Sequence, residues 1–397
     1  MPSYVRAGVV PPKRHTQFRR PDGALYAEEL LSTRGFASAF SLLYHHGAPT
    51  ATLDVRPWVR PAPHFEANDP LRNRHFATRR AVEDTPAGDA IDGRRPLLGN
   101  DDLTIAVADV ASPMRYFYRN AGGDELLFVH DGAGTLETQF GDIVYRAHDY
   151  LVIPSGTTYR LQPAEPTRLV VYASRGHIEI PARFRNEEGQ CVEGAPYCER
   201  DFRPPVLRDP IVDVGAYEVR VASGDRSAAY IMQHHPFDVV GWDGFCYPYA
   251  FNVDEYAPIT GALHQPPTAH AVFEAPGAAF CVFVPRLFDY HPLAIAVPYN
   301  HANVDCDEVI YYVSGNFMSR RGIEEGSITL HAAGAPHGPQ PGAVETSLGK
   351  TSTDEIAIMV DTFAPLGVAP GARACEDESY VRSWIVPQLE RSASHGD

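Results

Sequence analysis

The stretch His301-Ala-Asn303-Val-Asp-Cys-Asp-Glu308, followed 29 residues after the glutamate by His337 in Ala335-Pro-His337-Gly, decides how this chain is read. From His301 the spacing is H-x-N-x4-E-x6-G, ending at Gly315, and a second half reads Ala332-x-Gly334-x-x-His337. Two imidazoles and one carboxylate make a three-ligand metal set that leaves coordination positions open, the arrangement expected of a non-haem Fe(II) oxygenase. Zinc could take the same ligands with a water in the fourth position, giving a hydrolase or an isomerase. His301 and Glu308 are seven positions apart, so they cannot face one way on a single uninterrupted strand. The segment from Asn303 to Asp307 must contain a turn, which its Asn and Asp content suits. A strand–turn–strand then turns both groups inward.

The first half recurs 183 residues upstream as Tyr118-x-Asn120-x4-Glu125-x6-Gly132, followed by Pro154-x-Gly156-x-x-Tyr159. Asn120 matches Asn303, Glu125 matches Glu308, Gly132 matches Gly315, and tyrosine replaces both candidate histidine ligands. Such an internal repeat governs the whole fold. The paired frame resembles the two halves of the cupin metal motif, with Asn303 in place of its middle histidine and Ala332 in place of its proline. That resemblance implies a mainly β, two-domain bicupin built of jelly-roll sandwiches. Residues 1–250 are expected to hold a metal-free cupin-like unit at about 100–180, and residues 251–397 the metal-binding cupin. Exchange of one imidazole for Asn303 turns a four-ligand cage into an open triad.

At 397 residues the chain can bury two sizeable cores, and 44% hydrophobic with 21% charged residues describes an ordinary globular composition. A formal charge of −16 argues against nucleic acid or an anionic membrane as partner, since both require a positive surface. MPSYVRAGVVPPKRHTQF lacks the apolar core of a signal peptide, and no run approaches the ~18 apolar residues of a membrane span. Cys191, Cys198, Cys246, Cys281, Cys306 and Cys375 form no C-x-x-C pair; Cys191 and Cys198 could bridge a loop, but without a signal sequence free thiols are the favoured reading, and the expected compartment is the reducing cytoplasm.

LYAEELLSTRG (Leu25–Gly35) is the best helical candidate, closed by Gly35. From about residue 100 short β-branched or aromatic runs alternate with turn residues, among them ELLFVHDGAG, TRLVVYAS, AAFCVFVP and EVIYYVSGNF. The first ~90 residues carry little strand signal and are read as a segment for packing against a neighbouring subunit. The polar, Pro-rich stretch from Arg183 to Pro210 is expected to wrap the surface between the two units.

Further histidines accompany the ligand set. His331 precedes His337 by six residues, so on one regular strand it would share its face and stand beside the metal and substrate. His264 and His270, in ALHQPPTAHAVFE, could take a proton from a phenol, since an imidazole titrates near neutrality.

The chain resembles the homogentisate 1,2-dioxygenase family nearly end to end. The resemblance rests on KRHTQFRRPDGALYAEEL (Lys13–Leu30), PFDVVGWDG (Pro236–Gly244), PYNHANVDCDEVIYYVSGNFMSRRG (Pro298–Gly322) and GSITLHAAGAPHGPQPG (Gly326–Gly342). It implies Fe(II) on His301, Glu308 and His337, an acid/base role for His264, and a pocket role for Asn303. It also implies a small aromatic substrate and O2 as partners, conversion of homogentisate to maleylacetoacetate in tyrosine and phenylalanine breakdown, and a homohexamer. Phe317 stands nine residues after Glu308, where longer members have a tyrosine that can hydrogen-bond the substrate carboxylate. Tyr299, Arg320 or a backbone N–H is then left to hold that carboxylate, or the substrate is another hydroquinone, such as gentisate. The reading from another class is a non-oxidative or structural cupin.

Overall fold

The computed structural model describes residues 3–79, 88–265, 267–317, 320 and 322–386. The chain is mainly β, with short helical turns between strands. Two compact units form: Met1–Pro63, Ala87–Arg95 and Ile105–Glu255 make the first, and His64–Pro86, Pro96–Thr104 and Tyr256–Asp397 the second.

In the first unit, one sheet runs Gly141–Tyr145, Gly134–Thr138, Thr158–Pro163, Phe117–Asn120, Val214–Ser223, Arg226–His234 and Thr52–Pro57. A second includes Asp149–Ile153, Glu125–Asp131 and Thr167–Ser174 as neighbours. Their inward residues, among them Leu136, Tyr159 and Leu161 from one and Leu127, Leu151 and Val171 from the other, form one buried cluster. Burying each such aliphatic or aromatic side chain contributes about 1.5–3 kcal/mol, so the cluster supplies much of the driving force.

Two expectations fail here. Leu25–Gly35 is not helical: Ala27–Ser32 is a strand, paired antiparallel with Phe40–His45 along its whole length. A segment of this length is marginal as an isolated helix, and tertiary pairing overrides its propensity. The side chains alternate accordingly, Leu30 lying exposed while Glu29 reaches the buried His45. Among the described residues, the first ~90 also hold five strands, Val5–Gly8, Ala27–Ser32, Phe40–His45, Thr52–Pro57 and Arg74–Ala77. Each is short, and all but Ala27–Ser32 pair with a strand distant in sequence, which local composition does not announce. The Arg183–Pro210 stretch folds into the first unit, with Tyr197 and Phe202 buried and Phe202–Arg203 paired to Tyr249–Asn252.

The second unit carries an antiparallel sheet in the order Ala271–Ala275, Ala278–Phe283, Ile356–Thr362, Asp307–Ser314, Ser327–His331, Arg74–Ala77. Along Asp307–Ser314 every second residue, Glu308, Ile310 and Tyr312, lines one cleft. Val309, Tyr311 and Val313, of opposite parity, are buried. The strand ends at Gly315 with φ +88°, where a Cβ would come within 2.4 Å of the Asp354 carbonyl oxygen. Gly132 does the same for the first unit, at φ +95° and 2.4 Å from Thr167 Oγ1.

Candidate metal centre

His301 and His337 form an isolated antiparallel bridge, each N–H donating to the other's carbonyl at 2.8 Å. The chain turns after His301 and re-enters the sheet at Asp307, so His301 and Glu308 come to one side although their spacing is odd. Asp307 pins the loop that carries His337, accepting Ala333 N–H at 2.8 Å and Leu366 N–H at 2.8 Å. Gly334 N–H donates to the Asn303 carbonyl at 2.6 Å, closing the loop onto the turn.

The candidate ligand atoms of His301, Glu308 and His337 all lie within 4.8 Å of one another. His301 Nε2 is 3.7 Å and His337 Nε2 3.4 Å from Glu308 carboxylate oxygens. Two atoms each about 2.1 Å from a shared ion are separated by about this much. Each ring hydrogen-bonds a backbone carbonyl two residues earlier, His301 Nδ1 to Tyr299 and His337 Nδ1 to Ala335, both at 3.1 Å. With the proton held on Nδ1, the Nε2 lone pair is left to a cation. His337 Nε2 is buried with no hydrogen-bond partner, so this donor set fits a metal.

Register brings a further imidazole to the same carboxylate. Glu308 pairs directly with His331, and His331 Nδ1 meets Glu308 Oε1 at 2.7 Å. Its Nε2 meets the Tyr380 hydroxyl at 3.0 Å, and its ring stacks on His337 with centroids 4.2 Å apart. His331 ends its strand, so His337 reaches the site from the following loop and not, as parity on one strand suggested, from the same strand. Burial pushes the His331 ring down to about 4 and keeps it neutral. Burial alone would raise the Glu308 carboxyl, but the three imidazoles around it, His301, His331 and His337, hold it well below the usual carboxylate range. The neighbouring Glu308 carboxylate raises His301 in turn. Asp361 faces Glu308 from the opposite neighbouring strand; burial and then the Glu308 charge push it up to about 7.

A solvent-open cleft of about 1020 Å³ reaches His301 and Glu308, and His264 lines it. His264 is 44% exposed, its Nδ1 lies 3.5 Å from Asp289 Oδ2, and its ring meets Tyr299 edge-on at 5.2 Å. Asn303, Tyr299, Phe317 and His331 do not line this cleft. Asn303 Nδ2 reaches Glu308 Oε2 at 3.5 Å, Tyr299 is 60% exposed beside His264, and Phe317 packs on the Tyr312 ring at 4.9 Å. Arg286, Asp289, Glu355 and Asp361 carry no spacing signal in the sequence; only register and the return of distant strands bring them here.

The first unit repeats this framework with different contents. Tyr118 pairs with Tyr159, as His301 does with His337. Asp124 accepts Ser155 N–H, and Gly156 N–H donates to the Asn120 carbonyl at 2.8 Å, the bonds that Asp307 and Asn303 make in the second unit. The Tyr159 hydroxyl donates to Glu125 Oε2 at 2.5 Å. Arg94 donates to both Glu125 oxygens and, at 3.0 Å, to the Tyr159 hydroxyl. A guanidinium thus compensates the carboxylate that matches Glu308.

The family model for the homogentisate 1,2-dioxygenase N-terminal region matches residues 89–253. The chain is 43% identical over 384 residues to the protein named "Putative dioxygenase" of Saccharolobus solfataricus, covering 96% of this chain and 98% of that one. It is 28% identical over 418 residues to the homogentisate 1,2-dioxygenase of Nitrobacter hamburgensis, covering 95% of this chain and 90% of the relative. For the Homo sapiens homogentisate 1,2-dioxygenase the figures are 27% over 326 residues, 75% and 71%. Among solved structures, a cupin 2 conserved barrel domain protein from Leptotrichia buccalis aligns at TM-score 0.38 and 8% identity, covering 77% of this chain and all of that one.

Proposed function

The chain belongs to the homogentisate 1,2-dioxygenase family, and from that premise we propose that it is an Fe(II)-dependent ring-cleaving dioxygenase converting homogentisate and O2 to maleylacetoacetate. The observation that carries this reading is the His301–Glu308–His337 cluster, with His337 Nε2 buried and unpartnered and an open cleft reaching His301 and Glu308. Two neutral imidazoles and one carboxylate suit Fe(II) and leave positions for O2 and a substrate oxygen. Bound there, Fe(II) supplies activation of O2 toward an electron-rich ring.

The protein's own residues supply position and proton transfer. Nδ1–H bonds to Tyr299 and Ala335 fix the two ligand rings, and His331 with Asn303 fixes the carboxylate. His264 takes the proton from a ring hydroxyl, and Asp289 beside its Nδ1 steadies the charge it gains. Ile310 and Met359 give the cleft an apolar wall that holds the ring and limits water. On this reading residues 251–397 carry catalysis, residues 1–250 the metal-free unit, and the protein acts in tyrosine and phenylalanine breakdown in the cytoplasm.

A second reading keeps the chemistry and changes the hydroquinone. Phe317 favours it, having no hydroxyl to donate and lying outside the cleft. Steady-state oxygen uptake on homogentisate, gentisate and hydroquinone decides between them: homogentisate should lead, and a deficit of more than about tenfold, or 1.4 kcal/mol, rejects it as the substrate.

A further inference from the structure

His270 is a buried imidazole outside the metal triad, and its Nδ1 has no hydrogen-bond partner among the described residues. Only 9% of the residue is exposed, and it lines the same cleft as His301 and Glu308. A polar group left unpaired in a protein interior is costly unless a ligand satisfies it. The ring packs on Phe283, with centroids 4.9 Å apart. Arg286, another residue of the cleft, places its guanidinium over that same Phe283 ring at 5.6 Å. One aromatic ring thus contacts both a cation and an imidazole.

Arg286 donates Nη1 to the Val284 carbonyl at 3.1 Å and forms no ion pair among the described residues. Glu355 and Asp289 act on it only through space. Burial raises the Glu355 carboxyl, which weakens it as a counter-ion, and Asp289 stands beside His264. A largely buried guanidinium without a paired carboxylate favours an incoming anion. Burial, then the charges of Arg286 and His264, bring the His270 ring down to about 3. At neutral pH the ring is therefore uncharged, and in its Nδ1–H tautomer it can donate without adding charge.

We propose that His270 and Arg286 form the anion-recognising end of the cleft, binding the side-chain carboxylate of an aromatic substrate while its ring faces the metal triad. The proposal rests on the ring-cleavage reading for the class of substrate, and it names the carboxylate-binding group that Phe317 does not supply. It selects an aryl acid over an uncharged hydroquinone.

The test is calorimetric titration of the full chain, as purified and after chelator treatment, with phenylacetate and with its uncharged counterpart phenylacetamide. The wild-type chain should prefer phenylacetate by about tenfold or more, and the preference should survive chelation, because it does not arise at the metal. His270→Phe should weaken phenylacetate about three- to tenfold and leave phenylacetamide within about twofold, with His270→Gln, which keeps a donor, falling between. Arg286→Met should abolish the preference and Arg286→Lys should retain part of it. Equal affinity of the wild-type chain for the two probes, or a preference lost on chelation, overturns the proposal without recourse to any variant. Oxygen uptake with homogentisate separates the two readings. No uptake with the preference intact rejects ring cleavage alone, whereas uptake with equal binding of the probes rejects the anion end alone.

Discussion

Glu308 is where the chemistry of the centre converges, because His301, His331 and His337 all address its carboxylate. Glu308→Ala should lower metal affinity by more than about 100-fold, the upper end of what even an outer partner costs. Metal content after dialysis, read by elemental analysis, checks it; a variant that keeps stoichiometric metal contradicts the ligand set. His331→Phe tests the layer behind. It removes the Nδ1 bond that orients Glu308 but leaves the triad, and should weaken metal binding about 10- to 100-fold. His301, Glu308 and His337 were legible because a motif fixes their intervals. The role of His331 was half legible: its nearness could be counted out, but the sheet register that sets it on Glu308 could not. His270 and Arg286 were opaque as a pair, since they meet only over Phe283, on a neighbouring strand.

Among the elements, the segment Ala27–Ser32 shows how a local preference yields to pairing. Its composition favours a helix, yet Phe40–His45 requires a strand beside it, and Glu29 must reach His45. The His45 ring lies between Asp238 at 2.7 Å and Glu29 at 3.1 Å. Burial alone would lower it, but the hydrogen bonds to Asp238 and Glu29 outweigh burial and raise it to about 9. The folded state therefore holds a proton more tightly than the unfolded chain, whose histidine titrates near 6.5. That contribution is complete below about pH 6.5, is lost as pH rises through 9, and is on the order of 3 kcal/mol. The thermal midpoint should fall between those values in the wild-type chain and stay flatter in His45→Gln. Arg94 tests the other element-scale device. Arg94→Met leaves Glu125 buried and uncompensated, at a cost of about 3–5 kcal/mol in denaturant unfolding. The double change Arg94→Met/Glu125→Gln should recover much of it, and an Arg94→Met chain as stable as wild type would show that the guanidinium does not hold this site. Nothing in the repeated frame pointed to Arg94, which lies upstream of it.

At the scale of the whole molecule, the chain uses one framework twice and places a donor set that fits a metal in one copy. The bonds of Asp124 and Gly156 in the first unit and of Asp307 and Gly334 in the second keep the same loops in place. What differs is the filling: tyrosines and a guanidinium in one, imidazoles in the other. That the two copies differ at the candidate ligand positions was readable from the two tyrosines alone. Among the described residues no helix is long and apolar enough to cross a membrane. The chain should bind one metal ion, and two ions per chain by elemental analysis would contradict the assignment of Arg94. The most direct test of the central claim is oxygen uptake with homogentisate after anaerobic Fe(II) reconstitution, with the His337→Ala chain alongside. The wild-type chain should consume one O2 per homogentisate and form maleylacetoacetate, while His337→Ala should show uptake at background. Stoichiometric zinc with no uptake from the reconstituted chain, or equal uptake by the two chains, would contradict it.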